Sequence, residues 1–189
     1  VIQLKNGYAF KSSLYDDSGE YLIVTIANVQ DGFMDLLDCK RISSLPRDIQ
    51  THQKLVLGDL LISMTGNVGR VCRVSSMNTL LNQRVGKLVA YDIDKGFLFY
   101  MIHARRFLKQ MVIKAQGGAQ GNLGKNDILE YETVIPSDKN EQTAIATVLS
   151  VMDAEIAALE KKLAKYRLLK EGMMQQLLIG KIRIYGTHH

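Results

Sequence analysis

Three short segments carry the residues in this chain that could do chemistry. They are Gly7-Tyr8-Ala9-Phe10-Lys11-Ser12-Ser13, then Ser63-Met64-Thr65-Gly66-Asn67-Val68-Gly69-Arg70, and Gln116-Gly117-Gly118-Ala119-Gln120-Gly121-Asn122-Leu123-Gly124-Lys125. Leu81-Asn82-Gln83-Arg84 answers the second in composition. Glycine lets backbone amides approach an anion, while Ser, Asn, Gln and Lys donate to phosphate oxygens. Gln, Asn and Arg also read base edges through paired hydrogen bonds. Any one segment is what an ordinary polar turn contains, but three in one basic chain point to nucleic acid.

Catalytic patterns are missing. A Walker A loop needs glycines that wrap phosphates; Gly124-Lys125 comes closest, but Ala119 takes the first glycine position and Asn126 follows the lysine. The dinucleotide fingerprint fails at the same Ala119, there is no HExxH, and His52 and His103 stand alone. Pro46 and Pro136 are not adjacent, so the Asn/Asp-Pro-Pro-aromatic loop of amino-methyltransferases is absent. Asp92 and Asp94 beside Lys95 read as a solvated turn rather than a nuclease metal site. Cys39 and Cys72 form no CxxC and are expected as reduced thiols. The expectation is a chain without catalysis, cofactor or metal of its own.

The chain has 189 residues, 47% hydrophobic and 23% charged, which suits one globular domain plus an appendage and excludes wholesale disorder. Its net charge of +5 permits a polyanionic partner without demanding one. No apolar run approaches the ~18–20 residues of a membrane span, and no signal-peptide pattern opens the chain. The reading is a soluble, cytoplasmic protein. Val1 in place of methionine suggests a missing start, and Gly186-Thr187-His188-His189 suggests a cloning remnant.

Elements must position those segments. Strands are expected over 21–26, 55–57, 60–64 (after the Gly58-Asp59 turn), 68–74 and 87–91. Phe97, Met101, Ala104, Leu108 and Met111 recur at helical spacing and predict one amphipathic helix. The first domain, 1–137, is thus α+β with mixed or antiparallel strands and a helix. Residues 138–180 differ, with no proline and no break before Gly172. Ile145, Leu149, Met152, Ile156, Leu159, Leu163 and Tyr166 alternate by four and three, the seam of a coiled coil; the register then slips, with Leu169, Met173 and Leu177 continuing nearby. Asp138 and Glu141 resemble a capping box, so the helix starts near Lys139 and spans about 60 Å. Its seam calls for a partner helix, or else for folding back on its own domain. Residues 181–189 form a tail.

Asn6-Gly7-Tyr8-Ala9-Phe10-Lys11-Ser12, Gly58-Asp59-Leu60-Leu61-Ile62-Ser63-Met64-Thr65-Gly66-Asn67-Val68-Gly69 and Leu81-Asn82-Gln83-Arg84 resemble the target-recognition domain of type I restriction-modification specificity subunits. So do Glu141-Gln142-Thr143-Ala144-Ile145-Ala146, Leu149-Ser150-Val151-Met152-Asp153 with Ile156, and Leu168-Leu169-Lys170-Glu171-Gly172-Met173-Met174-Gln175-Gln176-Leu177-Leu178 with Gly180-Lys181. The resemblance implies a non-catalytic DNA reader of the bacterial or archaeal cytoplasm. It works beside modification subunits that use S-adenosylmethionine to methylate adenine N6, and motor-nuclease subunits that use ATP and magnesium. Such subunits carry two recognition domains and two long helices; this chain has one of each, a half-subunit, either natural or excised from a longer one. Its remedy is an antiparallel homodimer reading a split palindrome, the helix acting as a ruler. Lys161, Lys162, Lys165 and Lys170 would then face partner subunits, DNA or solvent.

Segments shared by members with different targets cannot encode the target. Phosphate contacts are therefore expected from Lys11, Ser12, Ser13, Thr65, Asn67, Arg70, Arg84, Gln116, Gln120 and Lys125. Base readout is expected from Lys40, Arg41, Arg47, Gln50, His52, Gln53 and Lys54, with Arg73 and Asn78. The competing readings are a coiled-coil adaptor whose head binds protein, and an independent nuclease or methyltransferase.

Overall fold

A computed structural model describes residues 2–117 and 121–185. Residues 1–146 form one compact unit and 147–189 a second. The first contains two four-stranded sheets. One has the order β1 (Ile2–Asn6), β8 (Val85–Ala90), β5 (Leu60–Ser63), β6 (Val71–Arg73), with every pair antiparallel. The other runs β3 (Lys40–Ile42), β2 (Tyr21–Val24), β7 (Thr79–Leu81), β4 (Lys54–Leu55), with β2 and β7 parallel.

Strand β5 shows why its sequence is apolar without alternation: all four residues are buried. Leu60 and Ile62 join Leu4, Val71 and Leu88 in a core shared with Leu98, Phe99, Ile102, Phe107 and Met111 of the helices. Leu61 belongs to a separate core with Cys72, Val85, Val24, Val29 and Leu81. A strand covered on both faces has no position that must be polar. The Gly58-Asp59 turn before it places Gly58 at φ 79° and buries the Asp59 carboxylate, which pairs with Lys87 Nζ at 2.6 Å and accepts from Val56 N.

The single helix expected over 97–111 is two: α1 (Lys95–His103) and α2 (Arg105–Gly117). Ala104 between them is extended, at φ −62° and ψ 140°, and exposed. The break resets the helical phase. Leu98, Phe99 and Ile102 are buried in α1 and Phe107, Met111 and Ala115 in α2, while Phe97, Met101 and Leu108 are only half-buried. Strands β1, β3 and β7, and the short helix α3 (Lys125–Leu129), were not foreseen.

Helix α4 covers Lys139–Leu178 and passes through Gly172 without a break. Asp138 Oδ1 accepts from Asn140 N at its start. The first two turns pack into the first unit. Gln142, 2% exposed, accepts from Asp94 N at 2.8 Å and donates to Pro136 O at 2.7 Å. Asp94 caps α1 through Phe97 N, and Asp92 pairs with Lys139 at 2.8 Å, so neither carboxylate stands in a bare turn. Ile2 and Ile135 line one cavity of about 230 Å³ together with Ile93, Met101, Leu129, Tyr131 and Thr133.

In the second unit, Met152, Ile156, Leu159, Leu163, Tyr166, Leu169 and Met173 are all more than 40% exposed. Leu177 is half-buried, as are Ile145 and Leu149 nearer the helix start. Helix α4 contains an 18-residue window of mean hydropathy 1.3, long and apolar enough to cross a membrane by composition. The expectation that no stretch approaches this length counted uninterrupted runs, and an average tolerates interspersed charges. Many of the helix's exposed bulky residues lie on the Ile145–Tyr166 seam, but Val148, Val151 and Leu168 are exposed off it. Gly180, at φ 72°, ends the helix by donating to Leu177 O.

Two outcomes follow from this packing. Gln142→Ala strands a buried amide and carbonyl and lowers stability by about 2–3 kcal/mol in urea titration. Burial pushes the Cys72 thiol up to about 12; it pushes Cys39 to about 11, against a weaker lowering by Arg41. The folded chain therefore keeps protons that the unfolded chain releases. Stability measured against pH falls as pH rises from about 9 through the folded values.

Candidate nucleic-acid interface

The loop joining β5 to β6 is built by its own backbone. Gly69 N donates to Ser63 O, Ser63 N to Arg70 O, and the buried Ser63 Oγ to Thr65 O at 3.0 Å. Gly66 and Gly69 take φ of 68° and 79°. A Cβ on Gly69 would lie 3.0 Å from the Met111 side chain, so glycine here also lets the loop rest on α2.

This loop meets the other motifs across long sequence separations. Met64 N donates to Arg84 O, and Leu123 N to Met64 O. A concavity of about 500 Å³ opens between the loop and α2, lined by Gly66, Asn67, Val68 and Arg70 on one side and Leu108, Val112, Ala115 and Gln116 on the other, with Asp31 and Gly121. The second and third segments thus share one wall-and-floor arrangement, with Asn67, Arg70 and Gln116 as its donors. Arg70 is oriented by Gln30 Oε1 at 2.6 Å. Thr65 Oγ1 is buried and has no hydrogen-bond partner among the described residues. Gln120 lies outside the described residues, and Lys125 is exposed at the first turn of α3.

The first segment is elsewhere and does a different job. A Cβ on Gly7 would lie 2.2 Å from Asn82 O, so Gly7 is glycine because two backbones touch there. Tyr8 N donates to Leu81 O and Gln83 N to Tyr8 O. Tyr8 OH donates to Asp48 at 2.8 Å, which holds the phenol above its ordinary range. Lys11, Ser12 and Ser13 follow, exposed, in a 3-10 turn.

The expected base readers divide. Lys40, Arg47, Gln50 and Lys54 are exposed, and half-buried Arg41 donates to Gly19 O. Buried Gln53 accepts from Gln50 N at 2.9 Å, and His52 Nε2 lies 3.0 Å from Asn6 O. Asn78 sits at φ 53° and donates to Glu20 at 2.9 Å. The Arg73 guanidinium stacks 3.9 Å from the Phe99 ring centre. Gln53, Asn78 and Arg73 are thereby engaged within the chain. Lys54 and Asn78 also line an apolar pocket of about 470 Å³ with exposed Val56, Leu57 and Met77.

Sequence reasoning missed Asp31, which lines the concavity and whose carboxylate meets His103 Nε2 at 2.9 Å. The partners are 72 positions apart, and only the Asp31-Gly32 turn could have hinted at them. Gly32 at φ 86° leaves room for the His103 ring.

A family model described as the type I restriction modification DNA specificity domain matches residues 1–166. The type I restriction enzyme MjaVIII specificity subunit of Methanocaldococcus jannaschii is 28% identical, over 97% of this chain and 45% of that protein. The HsdS subunit from Thermoanaerobacter tengcongensis superposes with a TM-score of 0.60 at 19% identity, over 93% of this chain and 42% of its own. The type I restriction-modification S subunit from M. genitalium gives 0.60 at 21%, over the same shares. A structure from work on the assembly and conformational transition of a type I R-M system gives 0.66 at 19%, over 93% and 43%. The chain spans under half the length of these relatives, and the structural likeness establishes the α+β fold with its long helix.

Because the Arg73 cation is held on an aromatic face, Arg73→Ala should cost about 0.5–2 kcal/mol of stability in a denaturant melt. A true base reader would instead leave stability unchanged and relax one target position.

Proposed function

Since residues 1–166 match its model, this chain belongs to the type I restriction modification DNA specificity domain family, and we propose that it selects the duplex sequence at which a type I restriction-modification complex acts. One observation carries this reading: the 63–70 loop, tied at Met64 to Arg84 and Leu123 by backbone bonds, borders a concavity that offers Asn67, Arg70 and Gln116 from a chain of net charge +5.

In this reading the chain is non-catalytic. S-adenosylmethionine, ATP and magnesium belong to modification and motor-nuclease subunits that it directs, in a bacterial or archaeal cytoplasm. Asn67, Arg70, Arg84, Gln116 and Lys125, with Lys11, Ser12 and Ser13, contact phosphates. The exposed Lys40, Arg47, Gln50 and Lys54, with Arg41, read bases. Two copies pair antiparallel through α4, because its seam is bare within one chain, so two identical heads read an inverted, split target.

Titration against duplex DNA at increasing salt tests the reading. Affinity should fall with a log–log slope of about −0.9 per neutralised phosphate, and Arg70→Ala should reduce that slope by about one while weakening all sequences alike. A flat salt response would instead mark a protein-binding adaptor.

A further inference from the structure

Among the described residues that line the concavity, Asp31 carries the one negative charge. A carboxylate at that place weakens any hold on phosphate, because like charges repel. The fold nonetheless keeps it there, with its side chain 68% exposed. Residues 28–35 form a hairpin closed by Gln30 N to Phe33 O and Asp35 N to Asn28 O, over buried Val29 and Met34. Gly32 N ties the tip to Val71 O of β6, and Gln30 accepts from Arg70 at 2.6 Å. His103 Nε2 lies 2.9 Å from Asp31 Oδ1 and donates to it, since a carboxylate only accepts. The His103 ring is itself stacked on buried Phe99, with 5.3 Å between ring centres. Asp31 Oδ2 has no partner among the described residues.

A free carboxylate oxygen, fixed at the edge of this concavity, is set to receive a hydrogen-bond donor. The DNA backbone offers none, since its phosphate and ring oxygens only accept. The donors of a duplex groove are the base amino groups: cytosine N4 and adenine N6 in the major groove, guanine N2 in the minor. Adenine N6 and guanine N2 each stand beside a ring nitrogen that accepts, which repels a carboxylate. Cytosine N4 has only a C–H beside it. We propose that Asp31 reads a base, selecting cytosine at one position of the target by accepting from N4. This rests on the reading of the chain as a DNA reader and adds to it a specificity residue and the base it takes. Arg70, held next to Asp31 through Gln30, keeps the strand against the concavity, and His103 is a positioning residue that aims the carboxylate.

Selection by the full chain from duplexes with a randomised centre tests the assignment. Wild type should enrich cytosine at a position that depends on Asp31. Asp31→Asn keeps an oxygen for His103 Nε2 and turns the other corner of the carboxyl group into an NH2 donor. The cytosine preference at that position should fall about tenfold, and thymine, whose O4 accepts where N4 donated, should rise in its place. Asp31→Ala should leave the position with no preference between the two pyrimidines, and a denaturant melt of each variant checks the fold. If Asp31→Asn strengthens binding to every duplex alike, the residue is only a repelling charge and the assignment is overturned. Base preferences unchanged at every position overturn it equally. A wild-type chain that enriches no sequence fails earlier, before any variant is compared, and that result overturns the DNA reading itself.

Discussion

Strand β5 must be covered on both faces, and most of the first unit is arranged around that need. Leu60 and Ile62 require the helical layer, and Leu61 requires the second sheet. Helices on one side and strands on the other leave the ends of β5 as the place where loops from distant parts of the chain converge. The 63–70 loop emerges there, rests on α2 through Gly69, and is tied to Arg84 and Leu123 by backbone bonds. The concavity lies where that loop meets α2, with Asn67 and Arg70 on the loop and Gln116 on the helix.

A second junction ties the start of α4 to the same unit. Asp94 Oδ1 caps α1 while Asp94 N donates to Gln142 Oε1, so one residue serves the starts of two helices. Gln142 is buried because both ends of its amide are satisfied, by Asp94 N and by Pro136 O. Glycine has a parallel role where Gly96 lies 3.1 Å, at its would-be Cβ, from the Ala146 side chain. The polar motif that opens the helix is thus explained by packing, with no need to assign it a ligand.

Local periodicity is what made parts of this legible. The long helix could be read because four-three alternation persists for many turns, and its start because Asp138 and Pro136 precede it. Strands of three residues, such as β3 and β7, carry too few positions to show a period, and β7 is defined by a parallel neighbour 57 positions away at Leu22 and Thr79. The α1–α2 break was hidden because Ala104 is an ordinary helix former and both halves continue an apolar pattern. Asn67, Arg70 and Gln116, which line the concavity, drew notice in the sequence because each lies in a glycine-bearing segment. Nothing local in the sequence reveals that Asn82 O presses on Gly7. Asp31 and His103 meet only through tertiary structure.

Ile2 and Ile135 share the walls of one small cavity, so strand β1 lies beside the segment that leads into α4. A module with adjoining ends can be spliced into another polypeptide as a cassette. Joining its ends and cutting at a surface turn would preserve every strand pairing. A unit built this way can be exchanged whole without redesign of the helix that follows it.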